Sequence, residues 1–180
     1  MIPLKLTLEN FTSHIYSEID FTKFNVALLV GVHSDNPYIS NSTGKSNIFR
    51  AIRWALTNKN GFSIKDKVIK RGSLFCKVLF EFMMNDETYR IVRQLNKKSS
   101  ITDIRFFKKI GNKWESEGFT CDTPTATNKR IIEILENETG DRGRYPIVEA
   151  MIDAYWESNQ DFEFILGLIE QLKLGVFDKK

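Results

Sequence analysis

The residues best equipped for chemistry are consecutive: Ser40-Asn41-Ser42-Thr43-Gly44-Lys45-Ser46-Asn47. A glycine, a lysine and a hydroxyl in a row, where the chain enters a helix, favour an anion for separate physical reasons. A helix N-terminus presents backbone N–H groups without intrahelical partners, and the macrodipole places partial positive charge beside them. Gly44 lets the backbone approach phosphate oxygens with no Cβ in the way. Lys45 supplies an ammonium for the β- and γ-phosphates, and the Ser46 hydroxyl is a ligand for Mg²⁺. The spacing therefore predicts ATP with Mg²⁺ held by Ser40 to Asn47. One feature departs from the usual G-x-x-x-x-G-K-[ST] pattern: Ile39 stands where the first glycine belongs, and the nearest upstream glycine is Gly31. The phosphate loop is thus longer than usual, or its first turn is made differently.

Such a loop needs a buried strand before it and an amphipathic helix after it. Val26 to Val30 is continuously apolar, the pattern of a strand covered on both faces. Ile48, Ala51, Ile52, Ala55 and Leu56 recur at helical spacing, with Asn58 to Gly61 ending the helix. Upstream, Leu4, Leu6 and Leu8 alternate with polar residues. After a turn at Asn10 to Ser13, Ile15, Ser17, Ile19 and Phe21 fall on one face, which predicts an antiparallel pair. From Lys77 the period is again two. Val78, Phe80 and Phe82 share a face, Met83 to Glu87 turns, and a strand returns from Tyr89 to about Leu95. Ile104 to Ile110 and Trp114 to Phe119 form a further hairpin around Gly111-Asn112. Thr127 is read as the cap of a helix over Lys129 to Glu138 that Gly140 ends, and Ile147 to about Leu174 reads as mostly helical. The expected fold class is α/β, a P-loop NTPase with an antiparallel β-meander and C-terminal helices. Its divisions are a nucleotide-binding core over 1–60, a β lobe over 61–125 and a helical segment over 126–180.

Composition sets wide bounds. The chain has 180 residues, 42% hydrophobic and 27% charged, enough for one globular unit with a sizeable core. A formal charge of +3 is compatible with a nucleic-acid partner without requiring one. No apolar run approaches the roughly 20 residues that span a bilayer, and the opening residues alternate rather than forming a signal peptide. No membrane partner is expected, and the location implied is cytoplasmic. Cys76 and Cys121 are far apart in sequence and read as reduced thiols; His14 and His33 are solitary, and neither is assigned to a metal. Lys97, Lys98, Lys108, Lys109, Lys113, Arg142 and Arg144 either contact DNA phosphates or are solvated surface cations. Trp54, Trp114 and Trp156 read as packing residues, and the stripe Phe162, Ile165, Leu166, Ile169, Leu172 as core or as a face awaiting a partner.

The run Leu8-Glu9-Asn10-Phe11-Thr12-Ser13-His14, followed by Ile19-Asp20-Phe21, the phosphate loop and Ala51-Ile52-Arg53-Trp54-Ala55-Leu56, resembles the N-terminal segment of SbcC-type ATPases. These are SMC-like, ABC-type ATPase subunits of recombination and repair nucleases. Some phage and bacterial members of that family carry a long loop between the strand glycine and an S-N-x-x-G-K-S core, a version that Gly31 and Ser40 to Ser46 resemble. Ile69 to Gly72, Val78 to Phe82, Tyr89 to Arg93 and Thr127 to Leu135 extend the likeness to about residue 138. The resemblance implies adenine-side contacts from Thr12 and Ser13, although the family usually has a basic residue where Thr12 stands. It implies a glutamine that senses the γ-phosphate through Mg²⁺; Gln160 is the candidate, a surface glutamine being the other reading. It also implies partners: a second ATPase head, an SbcD-like nuclease subunit and DNA, in a bacterial or phage-infected cell.

A complete head of this kind also needs four apolar residues followed by Asp-Glu, and a Ser-Gly-Gly signature. The nearest acidic run, Ala150-Met151-Ile152-Asp153-Ala154, has too few apolar residues and lacks the Glu, and the sequence contains no Gly-Gly pair. No catalytic residue is assigned. The expectation is half of an ATPase head, completed by a complementary half and incapable of hydrolysis alone. The rival is a non-catalytic interaction or inhibitor protein that retains the half-fold. A small P-loop kinase is disfavoured by the β-meander.

Overall fold

The computed structural model describes residues 1–23, 44–59, 62, 65–99 and 102–139, with backbone only for 65, 66 and 136–139. These residues fall within one compact unit, Met1–Arg142. The buried strand expected at 26–30, Ser40 to Thr43, the helical segment from Ile147, the candidate Gln160, the apolar stripe beyond it, Trp156, Arg142 and Arg144 lie outside the described residues.

Among the described residues six strands form one antiparallel sheet: β1 (Ile2–Phe11), β2 (His14–Asp20), β3 (Phe75–Met84), β4 (Glu87–Asn96), β5 (Thr102–Ile110) and β6 (Lys113–Glu115), in the order β2-β1-β3-β4-β5-β6. The α-helices described beside it are α1 (Lys45–Thr57) and α2 (Pro124–Thr139). β1 lies between β2 and β3, so the N-terminal pair and the meander belong to the same sheet. The alternating sequence dictates which face is dry. Leu6 and Leu8 of β1, Val78, Phe80 and Phe82 of β3, and Tyr89, Ile91 and Leu95 of β4 are all buried. On this face aromatic rings run across the strands, with Phe82 and Tyr89 at 5.7 Å and Tyr89 and Phe106 at 5.6 Å between centroids.

The opposite face carries charge. Lys5 pairs with Glu18 at 2.9 Å and lies opposite Glu81, which receives a 2.8 Å bond from Arg90 Nε. The Arg90 guanidinium in turn sits 3.9 Å from the centroid of the Trp114 ring. Alternating signs at cross-strand positions make this a mutually satisfied row rather than a field of one sign.

The hairpin joining β3 to β4 is a two-residue loop with Met84 opposite Glu87. Asn85 and Asp86 both have positive φ, +49° and +61°, as a type I′ turn requires. α1 ends as expected: Asn58 takes a left-handed conformation, and its N–H donates to Trp54 O. The buried stripe of α1 includes Trp54, stacked on Phe11 at 5.7 Å, whereas Ile52 is only half-buried.

Three local expectations are corrected. Thr127 does not cap α2. The helix begins one turn earlier at Pro124, and Thr123 Oγ1 accepts the Ala126 N–H at 3.2 Å. Proline suits the first helical position because its missing N–H would have had no partner there. The buried Thr127 hydroxyl instead accepts the Cys121 N–H at 3.0 Å, pinning the incoming loop. The strand expected over Trp114 to Phe119 stops at Glu115, because the chain turns at Gly118 (φ +74°) with Thr120 N–H donating to Ser116 O. Thr120 Oγ1 then accepts from Phe106 N–H at 2.8 Å and lies 2.7 Å from Phe106 O, so one hydroxyl replaces a strand on that stretch of β5. Finally, Ile15 is 68% exposed, since positive φ at Asn10 and Thr12 breaks the alternation at the end of the β1–β2 hairpin.

Candidate phosphate-binding site

The start of α1 is built against the β1–β2 turn. Gly44 is its N-cap, in a left-handed conformation with φ +87°, and provides no side-chain cap. The first turn of the helix contains no acidic residue, so no carboxylate of its own competes for the positive end of the dipole. Lys45 and Ser46 occupy that first turn and are half-exposed. An uncapped helix mouth with an accessible ammonium and hydroxyl fits the polyphosphate tail of ATP and a magnesium ion. Among the described residues no cluster of three or more His, Cys, Asp or Glu side chains could hold a metal by itself.

The glycine at position 44 is required twice. A side chain there would be strained by φ +87°, and a Cβ would lie 2.3 Å from Ser13 Oγ. Ser13 therefore abuts the helix mouth. Its Oγ accepts from Asn47 Nδ2 at 3.1 Å, while Asn47 Oδ1 accepts from Arg50 Nη1 at 3.2 Å. Arginine can only donate, so this contact fixes the orientation of the Asn47 amide and aims its NH₂ at Ser13. Burial, and secondarily the nearby Arg53 charge, brings the Arg50 pKa down to about 10, which leaves it cationic at neutral pH. Its guanidinium lies 3.9 Å from the centroid of the Phe62 ring.

His14 completes the contact. Its Nε2 is 3.1 Å from Gly44 O, and its Nδ1 is 2.8 Å from Ser17 Oγ. A carbonyl only accepts, so Nε2 carries a proton. Thr12 precedes Ser13 in the turn. Its N–H donates to Val68 O at 2.7 Å and its Oγ1 to Phe11 O at 2.8 Å, so its donors are committed to the backbone.

Of the residues predicted from sequence, the structure brings Ser13, Gly44, Lys45, Ser46 and Asn47 together, whereas Thr12, next to Ser13 in the chain, makes its hydrogen bonds to Phe11 O and Val68 O. The roles of His14, Arg50 and the buried Arg93 had no motif to announce them. Arg93 sits on the core face of β4, where period-two spacing from Tyr89 and Ile91 calls for an apolar residue. Its Nη2 donates to Ala55 O at 2.9 Å and to Asn128 Oδ1 at 2.8 Å, and its Nη1 to Asn58 Oδ1 at 3.0 Å. A guanidinium at the C-terminal end of α1 opposes the negative pole of that helix while tying it to β4 and α2. The basic residues form no single stripe among those described. Lys97 and Lys98 follow β4 at one end of the meander, whereas Lys108, ion-paired with Glu87, lies with Lys109 and Lys113 at the other. Cys76 is buried and Cys121 half-buried, and both are free thiols.

A Gly-Lys-Ser helix start docked on an antiparallel sheet is the architecture of an α/β P-loop ATPase. The sequence matches the AAA domain family model AAA_23 over residues 5–167, so the chain belongs to that family and represents the N-terminal region of an SMC/Rad50-like, ABC-type ATPase head. It is 30% identical over 138 residues to the DNA double-strand break repair Rad50 ATPase of Methanococcus maripaludis, an alignment covering 76% of this chain and 12% of that protein. It is likewise 30% identical over 135 residues to the same-named ATPase of Methanocaldococcus jannaschii, covering 75% of this chain and 12% of the relative. The chain thus spans about an eighth of the length of these curated relatives. Among solved structures, the recombination mediator protein RecF superposes at a TM-score of 0.44 with 13% identity, over 63% of this chain and 27% of the other. Among the described residues no helix is long and apolar enough to cross a membrane.

Proposed function

We propose that this chain is the ATP-binding part of a DNA repair or recombination ATPase, an SbcC-like nuclease subunit, and that it is incomplete for hydrolysis by itself. The observation that carries the reading is the start of α1, with Lys45 and Ser46 half-exposed in its first turn, no acidic residue beside them, and Gly44 packed against Ser13. Ser40 to Asn47 hold the phosphates of ATP, Ser46 ligates Mg²⁺ with Gln160 as a second contributor, and Thr12 and Ser13 face the adenosine side. Residues 1–60 serve as the nucleotide core, 61–125 as the β lobe and 126–180 as a helical segment. A complementary half or second head supplies the Asp-Glu and Ser-Gly-Gly motifs that this sequence lacks. Nucleotide then draws two heads together and gates access of DNA to an SbcD-like nuclease in the cytoplasm of a bacterial or phage-infected cell.

Titration of the purified chain with a fluorescent ATP analogue and Mg²⁺ tests this. Saturable binding that Lys45→Ala removes is expected, with no multiple-turnover hydrolysis. Absence of binding by the unaltered chain, or Lys45-dependent steady turnover without a partner, would overturn the corresponding half of the reading. A second reading, a non-catalytic interaction protein on the same half-fold, is favoured by β2, which edges the described sheet and exposes Tyr16 by 62% and Ile15 by 68%. It predicts that a chain carrying the missing motifs, captured by pull-down, binds Lys45→Ala as well as the unaltered protein.

A further inference from the structure

We infer that His14 is a positioning residue for the phosphate loop: it holds the Gly44 carbonyl away from the ligand and so turns the Lys45 N–H toward it. This rests on the nucleotide-binding reading and adds a part to it.

The geometry runs through one peptide plane. In a trans peptide the C=O of one residue and the N–H of the next point in opposite directions, and no cis peptide occurs among the described residues. The 44–45 peptide is therefore oriented by whatever holds the Gly44 oxygen. Two donors do so: Asn47 N–H at 3.0 Å, closing the first helical turn, and His14 Nε2 at 3.1 Å. These use both lone pairs of the oxygen: Asn47 holds it toward the body of α1, and His14 ties it to the β1–β2 hairpin. The Lys45 N–H, on the other side of the plane, is directed out of the helix mouth.

This anchoring matters at position 44 because glycine imposes little of its own. With φ at +87° and no Cβ, the peptide that follows can rotate more freely than after any other residue. A carbonyl swung toward the phosphate would present a lone pair to an anion. The imidazole is itself fixed: Ser17 Oγ, across the hairpin on β2, lies 2.8 Å from Nδ1. Ser17 orients His14, and His14 orients the peptide, as a second layer of hydrogen bonds fixes a ligand-binding group.

The test uses the purified chain, the fluorescent ATP analogue with Mg²⁺, and thermal melting of each variant. His14→Ala removes the donor and is expected to weaken binding about five- to tenfold, the net worth of one hydrogen bond in affinity. His14→Gln retains an N–H donor of similar reach and is expected to recover most of that loss. Ser17→Ala leaves the imidazole in place but unoriented and is expected to weaken binding by a smaller factor at an almost unchanged melting temperature. Should His14→Ala fail to fold, the glutamine and Ser17 variants carry the test. Unaltered affinity in His14→Ala, or in Ser17→Ala where only that variant and His14→Gln can be compared, would overturn the inference. So would a glutamine variant no better than alanine. Failure of the unmodified protein to bind the analogue would overturn the nucleotide reading instead, and this inference with it.

Discussion

The contact between Gly44 and Ser13 can be weighed by a double-mutant cycle. Gly44→Ala has two costs. Placing an L side chain at φ +87° forces a left-handed backbone, about 1–2 kcal/mol. The new Cβ also meets Ser13 Oγ at 2.3 Å, which adds overpacking of about 1–3 kcal/mol. The single variant should therefore lose about 2–5 kcal/mol. Ser13→Ala alone loses only the bond from Asn47 Nδ2, about 0.5–1.5 kcal/mol. With Oγ gone, the remaining serine atom near the added methyl is Cβ at 3.5 Å, an ordinary contact. In that background Gly44→Ala keeps its backbone term and a tight 3.1 Å approach to His14 Nε2 but loses the severest contact, leaving a coupling of about 1–3 kcal/mol that favours the double variant. Urea denaturation of the four proteins measures it. Coupling below about 0.5 kcal/mol, the scatter of independent sites, would show that Ser13 is not seated against Gly44, and the docking of the helix mouth on the hairpin would fail with it.

Other outcomes follow from single contacts. Arg93→Met keeps an apolar stem but leaves Ala55 O, Asn58 Oδ1 and Asn128 Oδ1 without their donor, so a loss of about 2–5 kcal/mol is expected in chemical denaturation. Arg93→Lys should recover only part of it, since an ammonium cannot reproduce the planar fork. Thr12→Asn should raise the melting temperature, because a β-branched residue at φ +50° is strained where asparagine is tolerated; a gain of about 1 kcal/mol is expected. Glu87 is held below the ordinary carboxylate range, first by its bond with Lys108 and then by Tyr89. A depressed folded-state pKa stabilises above the unfolded value near 4.5 and is lost as pH falls through the folded one, so Glu87→Gln should flatten stability against pH below that point.

What was legible in the sequence was whatever repeats. Period-two alternation located β1, β3, β4 and β5, and helical spacing located α1, because burial selects one face of each element. Single residues that override a period were not legible. Arg93 interrupts the apolar series of β4, and only the three-dimensional meeting of Ala55, Asn58 and Asn128 accounts for a charge there. Ile52 fitted the stripe of α1 on spacing, yet Trp54 takes the buried place through its stack on Phe11, 43 residues away in sequence. The start of α2 does carry a local signal, since Thr123-Pro124 is a cap followed by a first-turn proline. In the candidate site, Gly44, Lys45 and Ser46 carried a motif, whereas His14 and Arg50 act through geometry that no spacing encodes.

The position of the helix mouth is in turn set from a segment outside the phosphate loop. The β1–β2 turn contains two left-handed residues, Asn10 at φ +50°, which asparagine tolerates, and Thr12 at φ +50°, which a β-branched residue does not favour. Residues 68–73 hold them. Thr12 N–H donates to Val68 O at 2.7 Å, Lys70 N–H to Asn10 O at 2.8 Å, and Ser73 Oγ to Asn10 Oδ1 at 3.1 Å, while Ile69 bridges to Phe11. Val68 and Ile69 are buried, which anchors this clamp to the core. The chain of constraint therefore runs from the buried Val68–Ile69 pair, through the backbone of the turn, to Ser13 and His14, and from them to Gly44. Loosening the first link should displace the last: Ile69→Ala would cost packing energy and would also weaken nucleotide binding at a site it does not touch.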